Sequence, residues 1–93
     1  MEWTDEQLLE LKKFGAAFFS VKKTAICMQL HEKDLADELR NDKSEGYAAY
    51  YGGFYESEAK VNKAIIDLAI NGSSPAQMQA IKLMDYCQNE NKL

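Results

Sequence analysis

Between Thr24 and Arg40 the chain reads TAICMQLHEKDLADELR, and the spacing of its apolar residues leaves few ways to fold it. Two short helices that cross at a tight turn need a small residue where they meet. They also need apolar residues three and five positions later, and two more on the inner face of the second helix. Ala25, Met28, Leu30, Leu35 and Leu39 fit that spacing at every position. Gln29 stands where glycine often makes the turn, and His31 falls at an N-cap more often held by Ser, Thr, Asp or Asn. The spacing predicts a helix-turn-helix with helices over residues 21–29 and 32–41.

The rest of the chain also carries helix punctuation. Pro75 is the only proline, which favours an all-α protein. Thr4 and Gln7 have capping-box spacing ahead of a first helix over residues 5 to about 19, with Trp3 placed to fold over Leu8. Ser20 caps the second helix and Ser44 a long fourth one, whose Tyr47, Tyr51, Phe54, Val61, Ile65 and Leu68 follow the 3.6-residue period. Asn71-Gly72 is a stop signal. Ser74-Pro75-Ala76-Gln77 then restarts a helix to about residue 89, with Ala80, Ile81, Leu83, Met84 and Cys87 expected inward. So short a connection makes the last two helices an antiparallel hairpin. The expectation is one domain over residues 1–93, with a helix-turn-helix part over 1–43 and a helical hairpin over 44–93.

Composition narrows the function. Hydrophobic residues make up 46% of the chain, too many for a disordered tail. No apolar run approaches the ~20 residues of a membrane span. The opening MEWTDEQ is acidic, unlike a secretion signal, so a cytoplasmic protein is expected. Cys27 and Cys87 are far apart in sequence and there is a single histidine, so the two thiols are expected reduced and mostly buried, with no metal and no cofactor. No nucleophile elbow, phosphate loop or zinc-protease motif is present, and no enzyme is expected.

Net charge is −4, which does not favour general affinity for nucleic acid. Residues 1–43 carry 7 basic and 9 acidic groups and residues 44–93 carry 4 and 6, so neither half reads as a basic module. The third helix would present Lys33, Ala36, Asp37 and Arg40 outward, and from Glu32 to Asp42 it holds five acids and two bases. Acids repel phosphates and cannot replace the Arg–guanine contact, although Asp37 could accept from cytosine N4. Lys22 and Lys23 point the other way. A cation in the first turn of a helix is disfavoured by about 0.3–1 kcal/mol, a cost that a bound phosphate would reverse. The expected duplex-DNA contacts are therefore Lys22, Lys23, Lys33, Asp37 and Arg40.

GYAAYYGGFYES supplies a second surface. Tyr47, Tyr50, Tyr51, Phe54 and Tyr55 span more than one helix face, so one small core cannot bury them all. The neighbouring Gly52 and Gly53 would let another helix come close. These seven residues are the expected self-association surface.

The order of features has a parallel. A helix-turn-helix is followed by Tyr47-Ala-Ala-Tyr50, Gly52 or Gly53, then ESEAKVNKAIIDLA and NGSSPAQMQAIKLM. The chain resembles the small terminase subunits of tailed bacteriophages and prophages over roughly residues 14–88, most specifically in LAINGSSPAQ. The resemblance implies a non-catalytic subunit in the bacterial host cell. Such a subunit assembles into rings, binds viral DNA through helix-turn-helix units and delivers it to a large ATPase–nuclease subunit. The alternative, from the residues alone, is a protein-interaction module of phage origin that no longer binds DNA.

Overall fold

The computed structural model describes residues 1–92. Among them the protein is all-α: α1 (Asp5–Ala16), α2 (Val21–Met28), α3 (Glu32–Arg40), α4 (Glu45–Ile70) and α5 (Ser74–Glu90). It divides into two compact units, Met1–Glu58 and Ala59–Leu93, so the first half of α4 belongs with α1–α3. The sequence reads as a single domain, with the boundary between its two parts near residue 43. Packing of α4 against α1 moves it along the chain.

The caps explain where the helices begin. Thr4 Oγ1 accepts from Gln7 N, and Gln7 Oε1 accepts in return from Thr4 N. Ser20 Oγ accepts from Lys23 N, and Ser44 Oγ from Tyr47 N. For α5 the cap is Ser73, one residue earlier than the sequence suggested, and Pro75 sits in the first turn. His31 occupies the N-cap of α3 without a side-chain cap hydrogen bond. Gly72, at φ 101, supplies the left-handed residue that ends α4. The first helix is shorter than its period implies. It stops at Ala16 because Phe18 turns left-handed, at φ 59.

The core of the first unit is Leu11, Ala25, Leu35, Leu39 and Tyr50, with Trp3, Val21, Met28, Leu30, Ala49 and Tyr51 packed around it. Two glycines set how closely α1 and α4 cross. A Cβ on Gly15 would overlap the backbone carbonyl of Tyr50, and one on Gly53 would overlap that of Lys12. The backbones therefore touch at two reciprocal points, which only glycine permits. Tyr50 completes the crossing: its ring is buried and its hydroxyl donates to the carbonyl of Phe19. Burial, and to a lesser degree the neighbouring Tyr51, pushes the Tyr50 phenol above its ordinary pKa.

Glu38 ties three elements together. Its carboxylate accepts from the Trp3 indole N–H at 2.7 Å and from Gly46 N at 3.2 Å, and the N-terminal ammonium lies 3.6 Å away. Ser44 Oγ donates to its backbone carbonyl at 2.9 Å. Desolvation of the carboxyl works to raise its pKa, but the bonds from Trp3 and Gly46 and the N-terminal charge outweigh burial and leave it below the ordinary value of 4.5. Gly46 is what admits it, since a Cβ there would meet Glu38 Cγ at 2.7 Å.

The cysteines are exposed, not buried as the sequence suggested. In the second unit Ile81, Met84 and Cys87 are also exposed, although their spacing placed them inward. Among its described residues only Ala76 is buried, so most of the apolar period falls on side chains that are exposed or half-buried.

Two neighbouring glycines should respond oppositely to alanine. Gly53→Ala must separate α1 from α4 and should cost about 1–3 kcal/mol. Gly52 has nothing within 4 Å of a Cβ, so Gly52→Ala should stabilise the helix by up to about 1 kcal/mol. Urea denaturation of the two variants reads both signs. For Glu38, the depressed pKa means its contribution is present above the unfolded carboxyl pKa and is lost as pH falls through the folded one. Glu38→Gln should therefore lose about 1–3 kcal/mol at neutral pH. That gap should close as acid protonates the wild-type carboxyl, which unfolding curves from pH 7 to 3 would show.

Candidate functional site

The α2–α3 corner is built by its apolar residues. Ala25, Leu35 and Leu39 are buried, and Met28 and Leu30 pack against them. Gln29 takes the left-handed conformation (φ 57, ψ 42), and the Leu30 amide donates to the Ala25 carbonyl at 2.8 Å, closing the turn. Thr24 is fully buried at the same corner, and its hydroxyl has no partner among the described residues.

The structure brings Lys33, Asp37 and Arg40 to the exposed surface of α3. Asp37 and Arg40 are joined to each other at 3.0 Å. Both side chains are well exposed, so the pair is weak and opens at little cost. Glu32, Asp34 and Asp42 are exposed as well, whereas Glu38 is turned inward to Trp3 and Gly46. The outer surface of this segment thus carries four acids and two bases. Lys22 and Lys23 are exposed in the first turn of α2, with Lys23 Nζ 5.9 Å from the Phe19 ring centre. They form a separate group from Lys33 and Arg40, on a different helix.

The aromatic cluster divides in two. Tyr50 and Gly53, expected on a free surface, belong to the buried crossing with α1 and are withdrawn from any interface between copies. Tyr47, Tyr51, Phe54 and Tyr55 remain wholly or partly accessible, and Gly52 is open. Their rings follow one another along α4: Tyr47 to Tyr51 at 4.6 Å, Tyr51 to Tyr55 at 5.9 Å, and Phe54 to Tyr55 at 5.4 Å. Phe18 joins this run edge-on to Phe54 at 5.0 Å. A bulky residue held left-handed costs on the order of 1–2 kcal/mol, yet Phe18 is 48% exposed. The sequence places Phe18 on the apolar surface of a first helix running to about residue 19, whereas α1 ends at Ala16 and leaves Phe18 exposed in the turn.

The second unit offers a different surface. Asn62 and Ile66 of α4, with Ala80, Ile81, Leu83, Met84 and Cys87 of α5, line an apolar groove of about 500 Å³. Gln77 Nε2 donates to the Ala69 carbonyl at 3.1 Å and pins the start of α5 beside the end of α4. No charged side chain lines the groove. Among the described residues no three His, Cys, Asp or Glu side chains are grouped to hold a metal ion, and no helix is long and apolar enough to cross a membrane.

No family model matches the chain, and the comparisons with the curated proteins and with the solved structures found no match.

If Lys22 and Lys23 hold phosphates, replacing both by alanine should weaken DNA binding equally across sequences and flatten its salt dependence by up to about two units of slope. Titration of labelled duplex at several salt concentrations reads this, and an unchanged slope would remove both lysines from the interface.

Proposed function

We infer that the protein is a non-catalytic, self-assembling DNA-binding subunit of the phage-packaging kind, acting in the bacterial cytoplasm. In this reading α2 and α3 are the helix-turn-helix, and α4 and α5 form an antiparallel hairpin that joins copies. One observation carries it: the second unit leaves its apolar side chains uncovered. Val61, Ile66, Leu68, Ile70, Met78, Ile81, Met84 and Tyr86 are between 43% and 77% exposed. A unit below about 40 residues seldom holds itself together without a partner. Covering the exposed half of each Ile, Leu or Met side chain contributes about 1 kcal/mol. Further copies of the chain are the partner that is always at hand.

Assembly also answers the acidity of α3. A single head with four exposed acids and two bases on that segment binds duplex weakly. Several heads on one assembly raise the effective concentration of each for the same DNA, and avidity can multiply affinity by about 10²–10⁴ without a new contact. Lys22, Lys23, Lys33 and Arg40 then supply phosphate contacts and Asp37 faces the bases. A large terminase subunit would be the further partner. The acidic α3 and the Asp37–Arg40 pair favour one alternative, a protein-interaction module that assembles without DNA.

Sedimentation velocity at micromolar concentration should show a species several times the 10.6 kDa of the chain. Ile81→Asp should break it into monomers and weaken duplex binding in step, because avidity is lost. A wild type that stays monomeric to about millimolar concentration would end this reading. An assembly indifferent to duplex DNA at low salt would select the protein-interaction module.

A further inference from the structure

Balanced halves hide a local asymmetry of charge. From Leu11 to His31 the chain has Lys12, Lys13, Lys22 and Lys23 and no Asp or Glu. That stretch is +4, and since the whole chain is −4, everything else sums to −8. All four lysines are exposed. Lys12 is shared with Glu56 at 3.6 Å, but both side chains are more than half exposed, so the lysine can be recruited by a stronger anion. The four lysines lie on the last turns of α1 and the first turn of α2, and the turn between them holds Phe18 and Phe19.

We propose that this corner binds single-stranded nucleic acid, with the lysines on phosphates and the Phe18 ring stacked on a base. The proposal rests on the DNA-binding reading above and adds to it the strand form and the surface. Lysines alone would take any polyanion. The exposed ring adds a demand for a flat partner. Phe18 is held outward in a left-handed backbone conformation that phenylalanine avoids, and its ring is continued by Phe54, Tyr51 and Tyr55. A duplex keeps its base faces stacked inside and offers such a ring nothing. An unpaired strand presents base faces and phosphates together, which is the pairing that lysine-flanked aromatic platforms exploit. A bilayer fits less well. Glu56, next to Tyr55 in sequence and paired with Lys12, has a carboxylate that would have to lose water in a membrane.

The test uses the full chain and fluorescence anisotropy of a labelled oligothymidylate of about 20 nucleotides, beside a duplex of equal length and phosphatidylserine vesicles. The wild type should bind the single strand more tightly than the duplex, with affinity falling as salt rises. Phe18→Gly should weaken the single strand by about fivefold to a hundredfold and leave the duplex unchanged. Glycine is at ease at this backbone angle, so the melting temperature should hold and exclude unfolding as the cause. Phe18→Trp should restore the affinity. A single strand bound no better than duplex, or indifferent to Phe18→Gly, overturns the proposal, and duplex binding retained in that case leaves the wider reading standing. Failure to bind either nucleic acid ends both. Vesicles that displace the oligonucleotide from the wild type would overturn the proposal in favour of a membrane surface.

Discussion

The contact of α1 with α4 through Gly15 and Gly53 is the constraint from which the first unit follows. Each glycine lies against a backbone carbonyl of the other helix, Tyr50 for one and Lys12 for the other. At that separation the Tyr50 ring is buried and its hydroxyl reaches the Phe19 carbonyl. The bond holds the chain just after α1, in the turn where Phe18 is left-handed and its ring stays outside. One close crossing therefore seats the core tyrosine, fixes the turn into α2 and leaves the Phe18 ring exposed in that turn.

Glu38 does the corresponding work on the other side of this unit. An acid on the outward surface of α3 would repel DNA. This one is instead taken inward, where the Trp3 indole and the Gly46 amide satisfy its carboxylate. Breaking such a partly buried, charge-assisted set would leave polar groups without partners. The remaining acids of α3 are exposed, interspersed with the exposed Lys33 and Arg40. The exposed acids of α3 and the lysines of the α1–α2 corner thus lie on different elements.

Much of this was legible in the residues. Thr4 with Gln7, Ser20, Ser44 and the Asn71-Gly72 stop gave helix ends to within a residue or two, because caps act locally. Ala25, Met28, Leu30, Leu35 and Leu39 gave the α2–α3 corner, because its spacing is a packing requirement. Gly15 and Gly53 were not legible as a pair. Nothing in a period says which two helices approach until a glycine 38 residues away is known to oppose the first. Gly53 was therefore assigned to contacts between copies when it is used within one. Ile81, Met84 and Cys87 show the other limit. Periodicity expects them inward, but whether anything covers an apolar face depends on matter outside the helix, and these three side chains are exposed.

The two units then differ in what holds them. The first has a buried core and reciprocal backbone contacts. The second has one buried alanine and a groove without charge. The central claim is that the second unit is stabilised by other copies of the chain while the first stands alone. Amide hydrogen exchange measured across protein concentrations addresses this directly, because mass action acts only on the part that association protects. The account predicts that protection over Ser74–Glu90 rises with concentration while protection around Leu11, Leu35 and Tyr50 stays constant. Protection of α5 that is already high in dilute solution, and unchanged as concentration increases, would contradict it.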